Sequence, residues 1–115
     1  MDAGTRELAR RRAGNRCEYC HIPQAATPFI PFHVEHIVAK QHLENASDDL
    51  DGLAYACDRC NAFMGPNLST IDPVTGARVD LFNSRTDAWT DHFVLSAGKI
   101  DGLTAIGRAT ARLLN

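Results

Sequence analysis

The chain has 115 residues, a formal net charge of −2, and hydrophobic and charged fractions of 44% and 23%. This length provides for one small soluble domain, and no apolar run approaches the ~20 residues needed to cross a bilayer. The near-neutral charge excludes nucleic-acid binding through overall charge alone. Because the N-terminus lacks the apolar core of a signal peptide, we expect a cytoplasmic protein with reduced cysteines.

The first predicted element is a helix over Thr5–Ala13. Thr5 is a suitable N-cap, Leu8 provides an apolar contact, and Gly14 is a natural stop. Arginines crowd this stretch and its end, namely Arg6, Arg10, Arg11, Arg12 and Arg16. They could form a basic face for a phosphate backbone or a solvated helix face, and the sequence leaves both interpretations open.

The middle of the chain predicts two strands followed by a helix. Three prolines indicate a loop over His21–Pro31, and a polar loop is expected over Gln41–Asp51. β-branched and aromatic residues predict one strand over Phe32–Val38 and a second over Leu53–Ala56. A short helix is predicted over Asp58–Met64, ended by a Gly-Pro pair. Together these elements make a compact ββα unit.

The last third of the chain carries weaker signals. Asp72–Gly76 has the composition of a turn. A hairpin is predicted from His92–Leu95 and Lys99–Leu103 around a Ser-Ala-Gly turn, and a closing helix over Thr104–Leu114. On that helix, Ile106, Ala109 and Leu113 are expected to share one face. The predicted class is α+β, with a ββα core flanked by an N-terminal helix and a C-terminal hairpin plus helix.

Two cysteine pairs share the same spacing, Cys17-Glu18-Tyr19-Cys20 and Cys57-Asp58-Arg59-Cys60. Each pair places two sulfurs on one turn, and two such pairs complete the tetrahedral shell that zinc prefers. A closed shell has no position for water, so the predicted zinc is structural. Four reduced cysteines that only pack, or a redox pair, are the alternatives, and neither explains the equal spacing.

The segment between the cysteine pairs contains a carboxylate beside a histidine. Glu35 could ligate a divalent cation, and His36 could take a proton from water because its ordinary pKa lies near neutrality. Asn61 follows a zinc ligand directly and could complete the cation's shell. A cation held in this way would polarise a phosphate and stabilise a leaving oxygen. The segment is therefore suited to hydrolysing phosphodiester bonds.

Three sequence blocks in this order and spacing resemble HNH endonucleases of the ββα-metal type with a four-cysteine zinc site. They are Arg16–Cys20, Val34–Ile37 and Ala56–Asn61. The core motif covers residues 16–67. Tail patterns such as Asp87-Ala88-Trp89 look similar as well, so the resemblance extends toward the C-terminus and implies one HNH nuclease domain over residues 1–115.

The resemblance implies a role for each residue. His36 corresponds to the general base, while Glu35 (more commonly aspartate) and Asn61 correspond to ligands of a catalytic Mg²⁺ or Mn²⁺. The implied activity is metal-dependent hydrolysis of DNA, with low sequence preference because no recognition helix is evident. No membrane partner is expected, and a protein partner is left open.

Two positions depart from the family pattern. The middle position, usually asparagine, is Gly52, which cannot brace the loop that carries the base, although Asn45 or Asp51 could take over. The family often has lysine where Met64 stands, and methionine cannot contact phosphate. These departures keep a second hypothesis open, in which the chain is a zinc-stabilised nucleic-acid or protein binding module, a catalytically impaired HNH relative.

The other histidines and the aromatic residues have separate predictions. His33 shares a strand face with Glu35 and is opposite to His36, so it is a further candidate for the metal or its surroundings. His92 could face the core or approach the site. Exposed loop positions are expected for His21 and His42. Core positions are expected for Phe82, Trp89 and Phe93.

Overall fold

The computed structural model describes residues 2–37, 50–65 and 67–114. It divides into two compact units, Met1–Pro66 and Asn67–Asn115, each described by itself below. A single domain over the whole chain stays a prediction. Predictions that concern Val38, the loop residues 41–49 with His42 and Asn45, and Pro66 lie outside the described residues. None of the described helices is long and apolar enough to span a membrane.

The first helix, α1, covers Ala3–Arg12 and begins earlier than predicted. Its N-cap is Asp2, whose Oδ1 accepts a hydrogen bond from the Thr5 N–H at 2.7 Å. The prediction of Thr5 as the cap was therefore wrong, because an aspartate three residues upstream satisfies the exposed N–H groups. The buried contact is Ala9, which is fully buried, whereas Leu8 is 52% exposed.

Most of the predicted basic face is engaged within the first unit. Arg10 and Arg11 both bind the Glu7 carboxylate, and these contacts hold the pKa of Glu7 down at about 2. Arg12 donates to the carbonyl oxygens of Leu50 and Leu53, at 2.6 and 2.7 Å. Through these two bonds, the last residue of α1 fixes the start of the second strand.

The predicted ββα unit is confirmed. Strand β1, His33–His36, pairs antiparallel with β2, Leu53–Ala56, so that His36 lies opposite Leu53. All four residues of β2 are buried, and helix α2, Asp58–Met64, follows directly. A short 3-10 turn over Leu50–Gly52 leads into β2. Strand β1 is shorter than predicted, since Phe32 lies just outside it.

The second unit contains a hairpin that the sequence did not predict. Strands β3, Ser69–Ile71, and β4, Arg78–Asp80, pair antiparallel around the predicted turn Asp72–Gly76. Inside the turn, the Asp72 carboxylate accepts hydrogen bonds from the Val74 N–H and the Thr75 hydroxyl. The fully buried Asp72 thereby organises the loop that joins the two strands.

The predicted C-terminal hairpin and closing helix are present. Strands β5, Phe93–Ser96, and β6, Lys99–Gly102, pair antiparallel around Ala97 and Gly98, whose φ angles of +51° and +78° fit a two-residue hairpin turn. Helix α4, Ala105–Leu114, closes the unit. A four-residue helix, α3, precedes β5 over Trp89–His92.

Helix α4 packs through small residues, of which only Ala109 belongs to the predicted apolar face. Its buried residues are Gly107, Ala109 and Thr110, whereas Ile106 and Leu113 are half-buried. A Cβ atom at Gly107 would lie 2.0 Å from the carbonyl oxygen of His92, so only glycine permits this close approach. The backbone of α4 at Gly107 packs directly against the backbone of His92 because residue 107 has no side chain.

An aromatic cluster and an ion pair complete the second unit. Phe82 and Phe93 are buried, with ring centroids 5.2 Å apart, and Trp89 packs against Phe93 at 5.4 Å. The prediction of a core role for these aromatic residues is confirmed for the two phenylalanines. Arg108 donates two hydrogen bonds to the Asp72 carboxylate, at 2.9 and 2.8 Å, and so joins α4 to the β3–β4 turn.

Candidate metal centre and nuclease site

The four predicted zinc ligands lie together in the first unit. The sulfurs of Cys17, Cys20, Cys57 and Cys60 all lie within 4.8 Å of one another, and those of Cys20 and Cys57 are 3.8 Å apart. Sulfurs bound tetrahedrally at about 2.3 Å from zinc lie about 3.8 Å from each other. The chemistry of the ligand set and its spacing therefore fit zinc, and the closed four-thiolate shell fits a structural ion.

Backbone hydrogen bonds shape each cysteine pair for a metal. In the first pair, the N–H groups of Tyr19 and Cys20 point at the Cys17 sulfur, at 3.4 and 3.5 Å. In the second, the Cys57 sulfur caps α2 and accepts from the Cys60 N–H at 3.4 Å. N–H groups directed at sulfur favour the thiolate, which is the form that binds metal.

The thiols also influence one another. Hydrogen bonds from Cys17, Cys20 and Cys60 hold the pKa of the Cys57 thiol well below its usual range. A hydrogen bond from Cys17 lowers the pKa of Cys20 to about 7. The same contacts raise the pKa of the Cys17 and Cys60 thiols well above their usual range. Two thiols of the cluster therefore favour the thiolate, and the other two keep their protons until a metal replaces them.

The first cysteine turn, Cys17–Cys20, which we call the zinc turn, is attached to β2. The Glu18 N–H donates to the Tyr55 carbonyl oxygen at 2.8 Å, and the Tyr55 N–H donates to Glu18 Oε1 at 2.9 Å. Because Tyr55 belongs to β2, the zinc turn continues the hydrogen bonding of the sheet on the side away from β1. The two halves of the zinc site are thereby held by the same strand, since β2 runs directly into Cys57.

Glu35 faces the zinc turn. The Tyr19 side chain of this turn is 2% exposed. Burial raises the pKa of Glu35 to about 7, with a partly opposing effect from the nearby Tyr19 hydroxyl and further increases from the charges of Cys17 and Cys57. A bound cation would stabilise the ionised form of this carboxylate.

His36 is the last residue of β1. Successive side chains of a strand alternate between faces, so His36 lies on the face opposite to Glu35. The next residue, Ile37, donates its N–H to the Gly52 carbonyl oxygen at 2.9 Å. This bond fixes the backbone beside His36 through main-chain atoms, at the position where the family pattern has an asparagine side chain.

Asn61 lies on α2, one turn after the zinc ligand Cys57, and is half-buried. Its N–H donates to the Cys57 carbonyl oxygen at 2.9 Å, which ties its backbone to the zinc site. In the described parts of the chain, only the four cysteines form a cluster of three or more His, Cys, Asp or Glu ligand atoms. Glu35 lies on β1 and Asn61 on α2, and these two elements contact each other.

His33 and His92 contact residues outside the set formed by Glu35, His36 and Asn61. His33 Nε2 lies 2.8 Å from Asp58 Oδ1, at the first residue of α2. His92 belongs to the second unit, where its Nδ1 lies 2.6 Å from Thr104 Oγ1 and its ring packs against Phe82. His21, predicted as an exposed loop residue, is half-buried, and burial lowers its pKa.

The two departures from the family pattern have different structural settings. Met64 is 7% exposed and packs inward, so it belongs to the core of the first unit. Gly52 is exposed, and a Cβ atom built on it would meet nothing within 4 Å. A side chain could therefore be added at Gly52 without a steric cost.

Tyr19 is the site residue that sequence reasoning missed. The sequence offers one signal for Tyr19, because a large amphipathic residue between two metal ligands can be directed inward. Glu35, which lies near the Tyr19 hydroxyl, comes 16 positions later in the chain, so no local pattern joins the two residues.

A ββα unit closed by four clustered cysteines defines a ββα protein with a candidate zinc site, and comparison with protein families gives the narrower class. The model described as HNH endonuclease matches residues 17–63, the segment that contains all four cysteines, Glu35, His36 and Asn61. This segment is an HNH endonuclease-family domain. Searches of curated proteins and of solved structures gave no match.

Proposed function

We propose that the protein is a metal-dependent endonuclease that hydrolyses DNA phosphodiester bonds. The observation that carries the proposal is the HNH match over residues 17–63. That segment contains His36, the residue we propose as the base, and Glu35 and Asn61, the residues we propose as metal ligands. The clustering of the four cysteines in the same segment supports an intact scaffold. The family match implies a nuclease-type domain. The proposal adds the reaction, the DNA substrate and the roles of the three residues.

In this proposal His36 acts as the general base. An imidazole can remove a proton from water near neutral pH, and the water then attacks the phosphorus. The main-chain bond from Ile37 to Gly52 holds the backbone beside His36 and so limits the positions that the ring can take. An in-line displacement places the attacking water and the leaving oxygen on opposite sides of the phosphorus, so the base and the metal ligands must act from different directions.

Glu35 and Asn61 would hold the catalytic cation. A carboxylate and an amide oxygen are hard ligands that suit Mg²⁺ or Mn²⁺, and such ions usually complete their shells with water and substrate phosphate. A cation at this position would supply charge stabilisation for the phosphate and the leaving oxygen. Glu35 and Asn61 fit a divalent cation because Glu35 is half-buried, so that solvent does not stabilise its ionised form and a cation would.

DNA is the proposed partner, and its binding should depend on phosphate contacts. Four of the five arginines first considered have partners within the first unit, so the basic face of α1 is smaller than the sequence indicates. We therefore expect modest affinity that falls with salt, and low sequence preference.

The proposal is tested by relaxation of supercoiled plasmid with purified protein in Mg²⁺ or Mn²⁺. The wild type should nick the plasmid only when the divalent ion is present, and His36→Ala should reduce the rate by about 100-fold or more, because the base contributes on that order. His36→Ala purified in the same way also controls for contaminating nuclease. Zinc content and circular dichroism establish that both proteins are folded.

A second candidate function is supported by Gly52 and Met64. The chain lacks the asparagine side chain beside the base, and the position that could offer a lysine to phosphate is a buried methionine. In this alternative, the protein is a zinc-stabilised nucleic-acid or protein binding module. Folded, zinc-loaded wild type that cuts nothing with any divalent ion would favour the module and reject the nuclease.

A further inference from the structure

A side-chain contact joins strand β1 to helix α2 beside the zinc site. His33 Nε2 lies 2.8 Å from Asp58 Oδ1, and each of these residues is the first of its element. Asp58 directly follows Cys57, whose sulfur caps α2. The His33–Asp58 pair therefore attaches β1 to a helix that starts at a candidate zinc ligand.

We propose that His33 and Asp58 are positioning residues, which together set the separation of the two proposed ligands of the catalytic cation. These ligands are Glu35 and Asn61, so the inference rests on their proposed metal role. In the positioning role, neither His33 nor Asp58 binds the cation itself.

The spacing of the residues along the two elements supports this role. Glu35 comes two positions after His33, so both side chains lie on one face of β1, about 7 Å apart along the strand. Asn61 comes three positions after Asp58, which makes the two side chains neighbours on the surface of α2. A contact between the first residues of the two elements therefore limits how far apart Glu35 and Asn61 can lie.

Strand β2 offers no polar side chain opposite His33 or Glu35. Their ladder partners are Ala56 and Ala54, whose methyl groups cannot form hydrogen bonds. Among the described residues, β2 is the only strand paired with β1, and a two-stranded hairpin is marginally stable by itself. Asp58 on α2 therefore supplies the polar contact that β2 does not.

The exposure of the His33–Asp58 pair separates a positioning role from a role in the fold. The two side chains are 39% and 64% exposed, and ion pairs at such positions add little to stability. Loss of the pair should therefore leave the fold and the zinc in place while β1 and α2 move more freely. A cation would then have to order its ligands on binding, and its affinity would fall.

Substitutions of both residues test the inference. Asp58→Ala and His33→Ala each remove the contact, and the double variant shows whether the two residues act as one unit. Asp58→Asn removes the charge but keeps a hydrogen-bond partner for the imidazole. Glu7→Ala is the matched control, because it removes a carboxylate that binds Arg10 and Arg11 elsewhere in the same unit.

Three quantities are measured for each protein. They are the zinc content, Mn²⁺ binding followed by electron paramagnetic resonance without DNA, and plasmid nicking over a range of Mn²⁺ concentrations. We expect Asp58→Ala and His33→Ala to retain one zinc per chain and to bind Mn²⁺ about tenfold more weakly, as is typical when a group behind a metal ligand is lost. The double variant should lose no more affinity than either single variant, and Asp58→Asn should recover most of it.

The nicking assay adds a readout that a general loss of structure would not produce. The two alanine variants should need more Mn²⁺ but approach the wild-type rate at saturation, because the proposed base, His36, is unchanged. Glu7→Ala should match the wild type in both Mn²⁺ binding and nicking.

Four results would overturn the inference. The first is wild-type Mn²⁺ affinity in either alanine variant. The second is an equal loss in Asp58→Asn and Asp58→Ala, since the effect would then come from the charge. The third is a double variant whose loss is the sum of the single losses, which would indicate that His33 binds the cation directly. The fourth is loss of zinc from the alanine variants, which would assign the contact to the fold.

The outcomes also separate this inference from the proposed nuclease. Mn²⁺ binding that depends on His33 and Asp58 as one unit, in a protein that does not cut DNA, would support the inference and reject the nuclease. Nicking that depends on His36 but has the same Mn²⁺ requirement in every variant would support the nuclease and reject the inference.

Discussion

The first and second units are both small, yet polar groups hold them in different ways. In the first unit, four cysteines from two distant parts of the chain meet at one point, and the strands between them are only four residues long. In the second, an ion pair between the buried Asp72 and the partly exposed Arg108 joins a loop to a helix, and Phe82 and Phe93 pack against each other in the core. We therefore expect the first unit to depend on a bound metal and the second to depend on groups that the chain supplies itself.

The two kinds of stabilisation tolerate sequence change to different degrees. A zinc site requires only that the chain bring four thiolates together. Most residues between the two cysteine pairs can therefore change without loss of the site, and some of them can take catalytic roles. A buried ion pair is satisfied only by both partners together, because one charge left alone in the interior is costly. The candidate nuclease residues lie in the metal-dependent unit, in agreement with this difference.

The chain carries separate optical probes for the two units. Both tyrosines, Tyr19 and Tyr55, lie in the first unit, and the single tryptophan, Trp89, lies in the second. Tyrosine signals in near-ultraviolet circular dichroism therefore report on the first unit, while tryptophan fluorescence reports on the second.

Zinc removal should have the largest effect. Structural zinc in small proteins contributes on the order of 10 kcal/mol to folding, more than a domain of this size has in reserve. A chelator, or Cys57→Ser, should abolish the tyrosine signal and the amide-exchange protection of β1 and β2. Protection of these strands that is the same with and without zinc would contradict the metal-dependent account of the first unit.

Asp72→Asn should have the next largest effect, and it acts on the second unit. Asparagine keeps the shape but leaves the Arg108 guanidinium without its charged partner, so we expect the largest loss of thermal stability among single polar substitutions there. Asp80→Asn, an exposed change on β4, is the matched control. Thermal unfolding followed by Trp89 fluorescence gives the comparison.

The effect of Asp72 should also depend on pH. The Arg108 guanidinium holds the pKa of Asp72 well below its ordinary value of 3.8. A carboxyl with a lowered folded pKa contributes stability above its unfolded value and loses that contribution as the pH falls toward the folded one. The difference between wild type and Asp72→Asn should therefore narrow below about pH 4. A difference that stays constant down to pH 2 would argue against the ion pair.

Gly52→Asn should have the smallest effect on stability. The new Cβ atom has open space, and Gly52 does not have a positive φ, so the change in unfolding free energy should stay within about 0.5 kcal/mol. An added side-chain hydrogen bond near the base is worth about 1 kcal/mol, which allows up to about a fivefold increase in nicking rate. Gly52→Ala controls for the loss of glycine alone, and an equal gain in both variants would exclude bracing by the side chain.

Much of the first unit could be predicted because its signals are local. The cysteine spacing fixed the metal site, and the boundaries of β2 and α2 agree with the prediction since Cys57 both ends the strand and caps the helix. The cap of α1 was misassigned because Asp2 and Thr5 are both suitable caps, and only the structure decides between them. The proximity of Tyr19 to Glu35 depends on tertiary folding and left no local pattern.

The second unit was harder to predict. Strands β3 and β4 have three residues each, too few for alternation to distinguish them from loop. The buried face of α4 departs from the apolar pattern because Gly107 admits the His92 backbone and Thr110 accepts a hydrogen bond from the Phe82 N–H. Close backbone approach and buried polar contacts do not follow from hydrophobic periodicity.

The central claim is that the first unit holds two metals with different tasks. It is tested most directly by anomalous diffraction from crystals of the wild type soaked in Mn²⁺, with data at the zinc and manganese edges. The account predicts zinc among the four cysteine sulfurs and manganese at the Glu35 carboxylate beside Asn61. Zinc at the cysteines with no manganese at Glu35 would contradict it.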